Sequence, residues 1–230
     1  MILALGTRRD IFTIDNYFFG NGTFTWLLSP FNLLMDVLAL PYWNKGHYEL
    51  EELPGPFQEE INDLIKSSHD SGVIEQLETR IGGGRSMIFF KWYGKNLKNS
   101  IEIPAFHKQY RYIRTIGVSV FNKRKSTSWH YGPLRPTFRV LYNLRPSSDD
   151  AAFIQVGRYT HRWNKDPLFI FDDTLMHRSC NETDAVRYCM FIDIVRPSFC
   201  PLLVRGIVTG LQYILVRIRF VFYTRWAEIH

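Results

Sequence analysis

FRVLYNL at Phe138–Leu144, AFIQV at Ala152–Val156, LFIF at Leu168–Phe171 and YCMFIDIV at Tyr188–Val195 are the four runs on which the fold turns. Each is short, rich in aromatic and β-branched residues, and closed off by Pro, Gly, Asn, Asp or Ser, so each reads as a strand bounded by turns. All four lie inside Tyr112–Pro197, a stretch that passes repeatedly from loop to strand and back. Such a pattern predicts an all-β barrel or sandwich whose rim carries chemistry. Two histidines stand beside these strands, His130 in WHYGP and His177 in FDDTLMHRS.

A chain of 230 residues is long enough to bury a single core with appendages. Its 18 Phe, 12 Tyr and 6 Trp suit a β core, an apolar pocket or a contact with lipid. A formal charge of +6 points to an anionic partner, whether nucleic acid, membrane or acidic metabolite. Nucleic acid is not expected, because no recognisable module and no alternating base-stacking platform is present. Cys180, Cys189 and Cys200 have neither zinc-knuckle spacing nor an even count, so a reducing compartment is expected. The opening MILALGTRRD carries its arginines on the wrong side of the apolar start for a secretory signal, and export is not expected.

Working outward, Thr23–Trp43 has roughly the length of a membrane span, but Pro30, Asp36 and Pro41 argue against a clean one. Phe31, Leu34, Met35, Val37 and Leu38 predict one apolar stripe, on a helix that lies in a membrane interface or packs in a groove; a buried core helix is the alternative. Phe57, Ile61, Leu64 and Ile65 recur at helical intervals among charges and predict a scaffolding helix within His47–Glu78. Gly82–Gly84 lacks a phosphate-loop sequel and reads as a connection into RSMIFFKWYG, whose aromatic residues lie near a pocket. Between Pro104 and Arg145 nine Lys and Arg occur without one Asp or Glu, which predicts a cationic entrance for an anionic substrate. From Ser198 onward, Arg205, Arg217, Arg219 and Arg225 interrupt an apolar run, as in an interfacial cationic helix or a helix that buttresses the core. The expected organisation is an apolar and helical extension over 1–100, a catalytic core over 101–197 and a cationic amphipathic helix over 198–230.

Imidazole suits iron as well as zinc, so His130 and His177 are candidate ligands of one metal. Arg139 follows the first by nine residues and Arg187 the second by ten, both in strand-like sequence that faces an apolar interior. A buried arginine demands a carboxylate or phosphate. Two metal ligands and two interior arginines therefore suggest a metal-bound organic acid.

These residues resemble the aspartyl/asparaginyl β-hydroxylase family of Fe(II)- and 2-oxoglutarate-dependent dioxygenases. The likeness runs from about Arg111 to Pro197 and rests on HxGP at His130–Pro133, Arg139, FDD at Phe171–Asp173 leading to His177, and R…DIVRP at Arg187–Pro197. It implies a mainly β fold, the double-stranded β-helix or jelly roll, with flanking helices. It implies Fe(II) on His130 and His177, and 2-oxoglutarate gripped by Arg187 with Ser119 assisting and Arg139 as a second basic contact. O2 would be the oxidant, with succinate and CO2 released as a C–H bond is hydroxylated. Gly132 stands where an HxD site has its acid, which leaves that position to water. Leu141 stands where the family has a histidine. Asp172 and Asp173 read as a strand-end turn that orders the loop to His177, or as partners that fix an imidazole.

The family includes protein Asp/Asn hydroxylases and enzymes that hydroxylate carbon 2 of acyl chains on lipid A or ornithine lipid. SPFNLLMDVL and RSMIFFKWYG resemble the lead-in of the lipid branch. That implies an anionic lipid substrate and work at the cytoplasmic face of an inner membrane, peripheral or shallowly inserted. The alternatives are a peptide hydroxylase and a non-catalytic membrane-associated binding protein.

Overall fold

The structure is a computed structural model that describes residues 27–40, 42, 45–80, 84–132, 134–217 and 227–229. In chain order its elements are α1 (Ser29–Leu38), β1 (His47–Tyr48), α2 (Gly55–Asp70), α3 (Val73–Glu78), β2 (Arg85–Trp92), β3 (Lys95–Asn96) and α4 (Pro104–His107). They continue as β4 (Ile113–Phe121), β5 (Lys125–Ser126), β6 (Thr137–Asn143), β7 (Ala152–Val156), β8 (Tyr159–Arg162) and β9 (Leu168–Phe171). The last are β10 (His177–Asn181), β11 (Arg187–Val195), α5 (Pro201–Leu215) and β12 (Ala227–Glu228). The four strands read from sequence are β6, β7, β9 and β11, each within a residue of its expected bounds. The content is not mainly β, however. Among the described residues helices take up nearly as many residues as strands, so the fold is a mixed α/β one built on two sheets.

The larger sheet has eight strands in the order β1-β9-β6-β11-β4-β2-β12, with β3 paired to β2. The smaller has four, in the order β5-β10-β7-β8. Since β1 and β2 belong to the larger sheet, the core reaches back across residue 101 into the expected extension. The end of the tail adds to it as well, because β12 pairs in parallel with β2.

Alternation along the strands divides the larger sheet into two faces. On β11, Tyr188, Met190, Ile192 and Ile194 face outward and pack with Phe57, Ile61 and Leu64 of α2 and Leu77 of α3. The helical spacing read within His47–Glu78 is therefore a scaffold that covers the sheet. Cys189 and Phe191 face inward and share a second cluster with Phe89, Leu141, Phe169 and, from the smaller sheet, Ile154 and Val156. Burying each large apolar side chain contributes roughly 1.5–3 kcal/mol, so the two clusters clamp β4, β6 and β11 between them. Phe89 and Trp92 of the RSMIFFKWYG run lie in the inner cluster and meet edge to face at 4.8 Å.

Helix α1 departs from its expected face, while the inner side of α5 follows the buttressing alternative. On α1, Met35 is buried while Leu34 and Val37 are exposed, so the expected stripe is split between two sides of the helix. On α5, Val204, Val208 and Leu215 are buried, and the Trp92 indole donates to the Leu215 carbonyl at 3.0 Å; the inner side of this helix buttresses the core. Arg219 and Arg225, the later arginines of the tail, lie outside the described residues, as do Pro41, Trp43, Gly82 and Pro133. No helix among the described residues is long and apolar enough to cross a membrane. Cys180, Cys189 and Cys200 are unbridged.

Candidate active site

His130 and His177 are brought together by backbone pairing. Their peptide groups exchange two hydrogen bonds, His130 N to His177 O at 3.0 Å and the reverse at 2.9 Å, which is an antiparallel bridge just ahead of β10. Residues so paired project to the same side, and the ring centroids are 4.2 Å apart. Each imidazole is oriented in the same way. Nδ1 of His130 donates to the Ser128 carbonyl at 2.8 Å, and Nδ1 of His177 to the Leu175 carbonyl at 2.7 Å. A proton held at Nδ1 leaves the lone pair on Nε2, the arrangement of a metal-binding histidine. Burial, and then the neighbouring His130, push the His177 imidazole well below its ordinary range, so it is neutral and ready to ligate.

The loop between β9 and His177 follows from the FDDT sequence. The Asp172 carboxylate accepts from Thr174 N at 2.9 Å and from Thr174 Oγ1 at 2.7 Å, a strand-end turn of the kind aspartate favours. Asp173 turns the other way, against Gly132. A Cβ at residue 132 would lie 2.4 Å from the Asp173 carboxyl carbon, so only glycine fits there. The place where an HxD site begins its acid is thus taken by an acid from the loop after β9. Among the described residues no cluster of three or more His, Cys, Asp or Glu forms a ready metal cage; the histidines stand as a pair.

Arg139 and Asp193 are register partners across β6 and β11, and the arginine reaches both Asp193 at 2.6 Å and Asp173 at 2.8 Å. Its guanidinium also lies 3.6 Å over the Phe191 ring. Burial, aided by Asp193 and Asp172 and opposed by Arg139, raises the Asp173 carboxyl to about 7.

Arg187 starts β11 on the same inner face and is 5% exposed. Its Nη2 donates to Ser179 Oγ at 2.7 Å, and its guanidinium lies 4.3 Å over Phe121 and 5.3 Å over Trp163. Among the described residues Nε and Nη1 have no acceptor and no carboxylate pairs with Arg187, and the buried Trp163 Nε1 also lacks an acceptor. Ser119 sits on β4 two residues from Phe121, the register partner of Arg187, and its hydroxyl donates to the Cys189 carbonyl at 3.1 Å. Leu141 is buried in the inner cluster opposite Phe191.

The basic stretch Pro104–Arg145 does not frame a cationic entrance as expected. Five of its nine cations meet carboxylates from elsewhere in the chain: Lys108 meets Asp63, Arg124 meets Asp184, Arg135 meets Asp36, Arg139 meets Asp173, and Arg145 meets Glu78. For these five the imbalance is one of sequence position, because folding brings each of them a carboxylate from elsewhere in the chain.

Sequence reading also missed a buried cluster under the site. Arg135 lies five residues past His130 in the same loop; its Nε donates to Thr174 Oγ1 at 3.1 Å and approaches Asp172 at 3.8 Å. Asp36 of α1 bridges Arg135 and Arg196. The available signal is Asp36, an aspartate inside an apolar run. Ser179 and Trp163 carried no signal without the fold.

A viral collagen prolyl hydroxylase from Paramecium bursaria Chlorella virus-1 superposes with a TM-score of 0.40 at 10% identity, over 56% of this chain and 89% of that one. A 2OG-Fe(II) oxygenase-family oxidoreductase from Burkholderia pseudomallei gives a TM-score of 0.39 at 14% identity, over 56% and 79%. The ornithine lipid ester-linked acyl 2-hydroxylase of Rhizobium tropici is 31% identical over 90 residues, 39% of this chain and 32% of that protein; the chain thus spans about a third of the length of this relative. The profile of the aspartyl/asparaginyl beta-hydroxylase family matches residues 59–197, more than half of the chain. The chain belongs to the aspartyl/asparaginyl beta-hydroxylase family, within the 2-oxoglutarate- and iron-dependent dioxygenases.

Proposed function

We propose that this chain is an Fe(II)- and 2-oxoglutarate-dependent dioxygenase that hydroxylates carbon 2 of an acyl chain on ornithine lipid or lipid A, with its two sheets forming the double-stranded β-helix of that class. The observation that carries the reading is Arg187. A guanidinium this buried, with two donor nitrogens lacking acceptors and no carboxylate partner, costs several kcal/mol unless an anion completes it. The distal carboxylate of 2-oxoglutarate is such an anion, and a planar carboxylate suits the donor fork.

In this reading His130 and His177 hold Fe(II) through Nε2, their Nδ1 protons anchored on Ser128 and Leu175. When bound, the metal and cosubstrate supply the activation of O2, with 2-oxoglutarate leaving as succinate and CO2. Arg187 orients the cosubstrate, and Ser119 assists from the neighbouring strand. Arg139 serves the cosubstrate side through Asp173, which it holds beside Gly132. Leu141 and Phe191 keep the inner face dry.

The lipid assignment is supported by the Rhizobium tropici relative and by apolar residues left exposed on α1 and around α5. The working place in this reading is the cytoplasmic face of an inner membrane, reached peripherally. Mass spectrometry of the lipids of cells with and without the gene tests it: one class of acyl chain gains a single oxygen when the gene is present. A hydroxylated Asp or Asn peptide with unchanged lipids would replace the lipid substrate by a protein one. Absence of any 2-oxoglutarate turnover by Fe(II)-loaded protein would leave a binding protein.

A further inference from the structure

Helix α1 does not keep its apolar residues for the core. Its inward side carries Asn32 and Asp36 beside Met35 and Ala39, while Leu34 and Val37 are more than half exposed. The polar residues point inward because they have partners there. Asn32 Oδ1 accepts from Arg135 N at 3.0 Å, and the two carboxylate oxygens of Asp36 take Arg135 and Arg196. A helix that spends its acid on the interior and turns leucine and valine outward has no reason in water to do so.

The apolar outer side does not end with α1. The Cys200 thiol reaches the Leu38 carbonyl at 3.8 Å, which brings the start of α5 against the end of α1. There Phe199, Leu202 and Leu203 are more than half exposed, and Leu40 continues the α1 side. Residues 199–217 contain Arg205 and Arg217 and no Asp or Glu, and the only acid of α1 is the inward Asp36. Arg205 lies one turn into α5 beside these apolar residues. An apolar surface with an arginine at its edge and no outward acid on either helix complements an anionic bilayer, where aliphatic side chains enter the acyl boundary and guanidinium groups meet phosphates.

We propose that the outer sides of α1 and of the start of α5 form one docking surface for an anionic lipid bilayer, and that Asp36 passes this contact to the loops that carry His130 and His177. The path is short. Asp36 binds Arg135 in the His130 loop, and Arg135 binds Thr174 in the loop to His177. Asp36 and Arg135 are therefore positioning residues: seating α1 on a bilayer holds both loops, and lifting α1 takes the Asp36 carboxylate from two buried arginines, leaving Arg135 only Asp172 at 3.8 Å. The proposal rests on the lipid reading of the site, but it concerns metal-free protein and is tested on it.

Full-length protein without metal or 2-oxoglutarate is sedimented with vesicles of phosphatidylcholine and phosphatidylglycerol, and with phosphatidylcholine alone. Binding is expected to the mixed vesicles and to fall at least about tenfold in the doubly substituted Leu34→Glu/Val37→Glu, whose sites are exposed and whose circular dichroism stays that of the wild type. Amide exchange over 129–135 and 172–177 is expected to slow when wild-type protein meets the vesicles. Asp36→Asn is expected to abolish that slowing, and Asp36→Glu to restore part of it. Equal sedimentation of the wild type and the doubly substituted protein overturns the docking surface. So does self-association that the double substitution abolishes while neither protein binds vesicles, since the surface then belongs to a second copy. Vesicle binding that leaves exchange in the two loops unchanged overturns the role of Asp36. If Asp36→Asn fails to fold, wild type against Leu34→Glu/Val37→Glu still decides the docking surface, and full wild-type slowing in Asp36→Glu, whose longer side chain shifts the carboxylate, overturns the relay. None of these readouts needs hydroxylation, so a failed activity assay refutes the proposed reaction and leaves them standing.

Discussion

Two arginines face the interior of the same sheet, and they have opposite surroundings. Arg139 has two carboxylates within 2.8 Å, Asp173 and Asp193. Arg187 has one serine hydroxyl, two aromatic faces and two nitrogens without acceptors. The sequence treats them alike, each nine or ten residues past a histidine and in a strand. The difference teaches that an interior cation marks a ligand site only when the protein has not already answered it. Arg139 is part of the frame, and in the proposed reaction Arg187 is the socket.

The largest expected effect breaks the frame. Arg139→Met leaves Asp173 and Asp193 buried without their cation, and should cost about 3–5 kcal/mol of stability, read from urea unfolding. Arg187→Met removes an unpaired buried charge, and its stability should be unchanged or higher. Equal destabilisation by both would erase the distinction between the two corners.

The frame should also titrate. Asp173 holds its proton up to about 7 in the folded chain, against an ordinary 3.8. The folded state thus binds that proton more tightly than the unfolded one. Its contribution favours folding below about 3.8 and is lost as pH rises through about 7. In Asp173→Asn the fall of Tm across this window should flatten. A slope identical to that of the wild type would mean that Arg139 keeps Asp173 ionised throughout.

At the socket, Arg187→Met should weaken 2-oxoglutarate binding to the Mn(II)-loaded protein by roughly 2–4 kcal/mol, the worth of a charge-assisted pair, measured by titration calorimetry. Unchanged affinity would remove Arg187 from the cosubstrate and with it the observation on which the proposed reaction stands.

The contrast also explains what could be read from sequence. Strands β6, β7, β9 and β11 were legible because their composition and their turn residues agree. His130 and His177 were legible as candidates through the residues around them. Which side of each residue meets what was not, because a pairing such as Arg139 with Asp193 joins positions 54 residues apart. The same reason undid the nine-cation entrance, whose carboxylates come from α1, α2, α3 and β11 and from the loops after β9 and β10. Helix α1 misled differently. Its apolar residues were assumed to seek one side, whereas Asp36 turned the helix by finding two arginines that the local sequence does not contain.

Trp163 gives the smallest and most discriminating test of the socket. Its indole Nε1 is buried without an acceptor, and its ring lies 5.3 Å from the Arg187 guanidinium. An isolated buried donor is costly, so its retention beside an equally unanswered arginine fits one anion that answers both. Trp163→Phe keeps the aromatic face under Arg187 and removes only the donor. If the anion takes that hydrogen bond, 2-oxoglutarate affinity should fall by about 0.5–1.5 kcal/mol while stability holds or rises. The indole emission of the wild type should also shift when 2-oxoglutarate binds, and a Trp163→Phe protein should lack that component. A full emission response in Trp163→Phe with unchanged affinity would place the carboxylate on Arg187 alone and make Trp163 a packing residue.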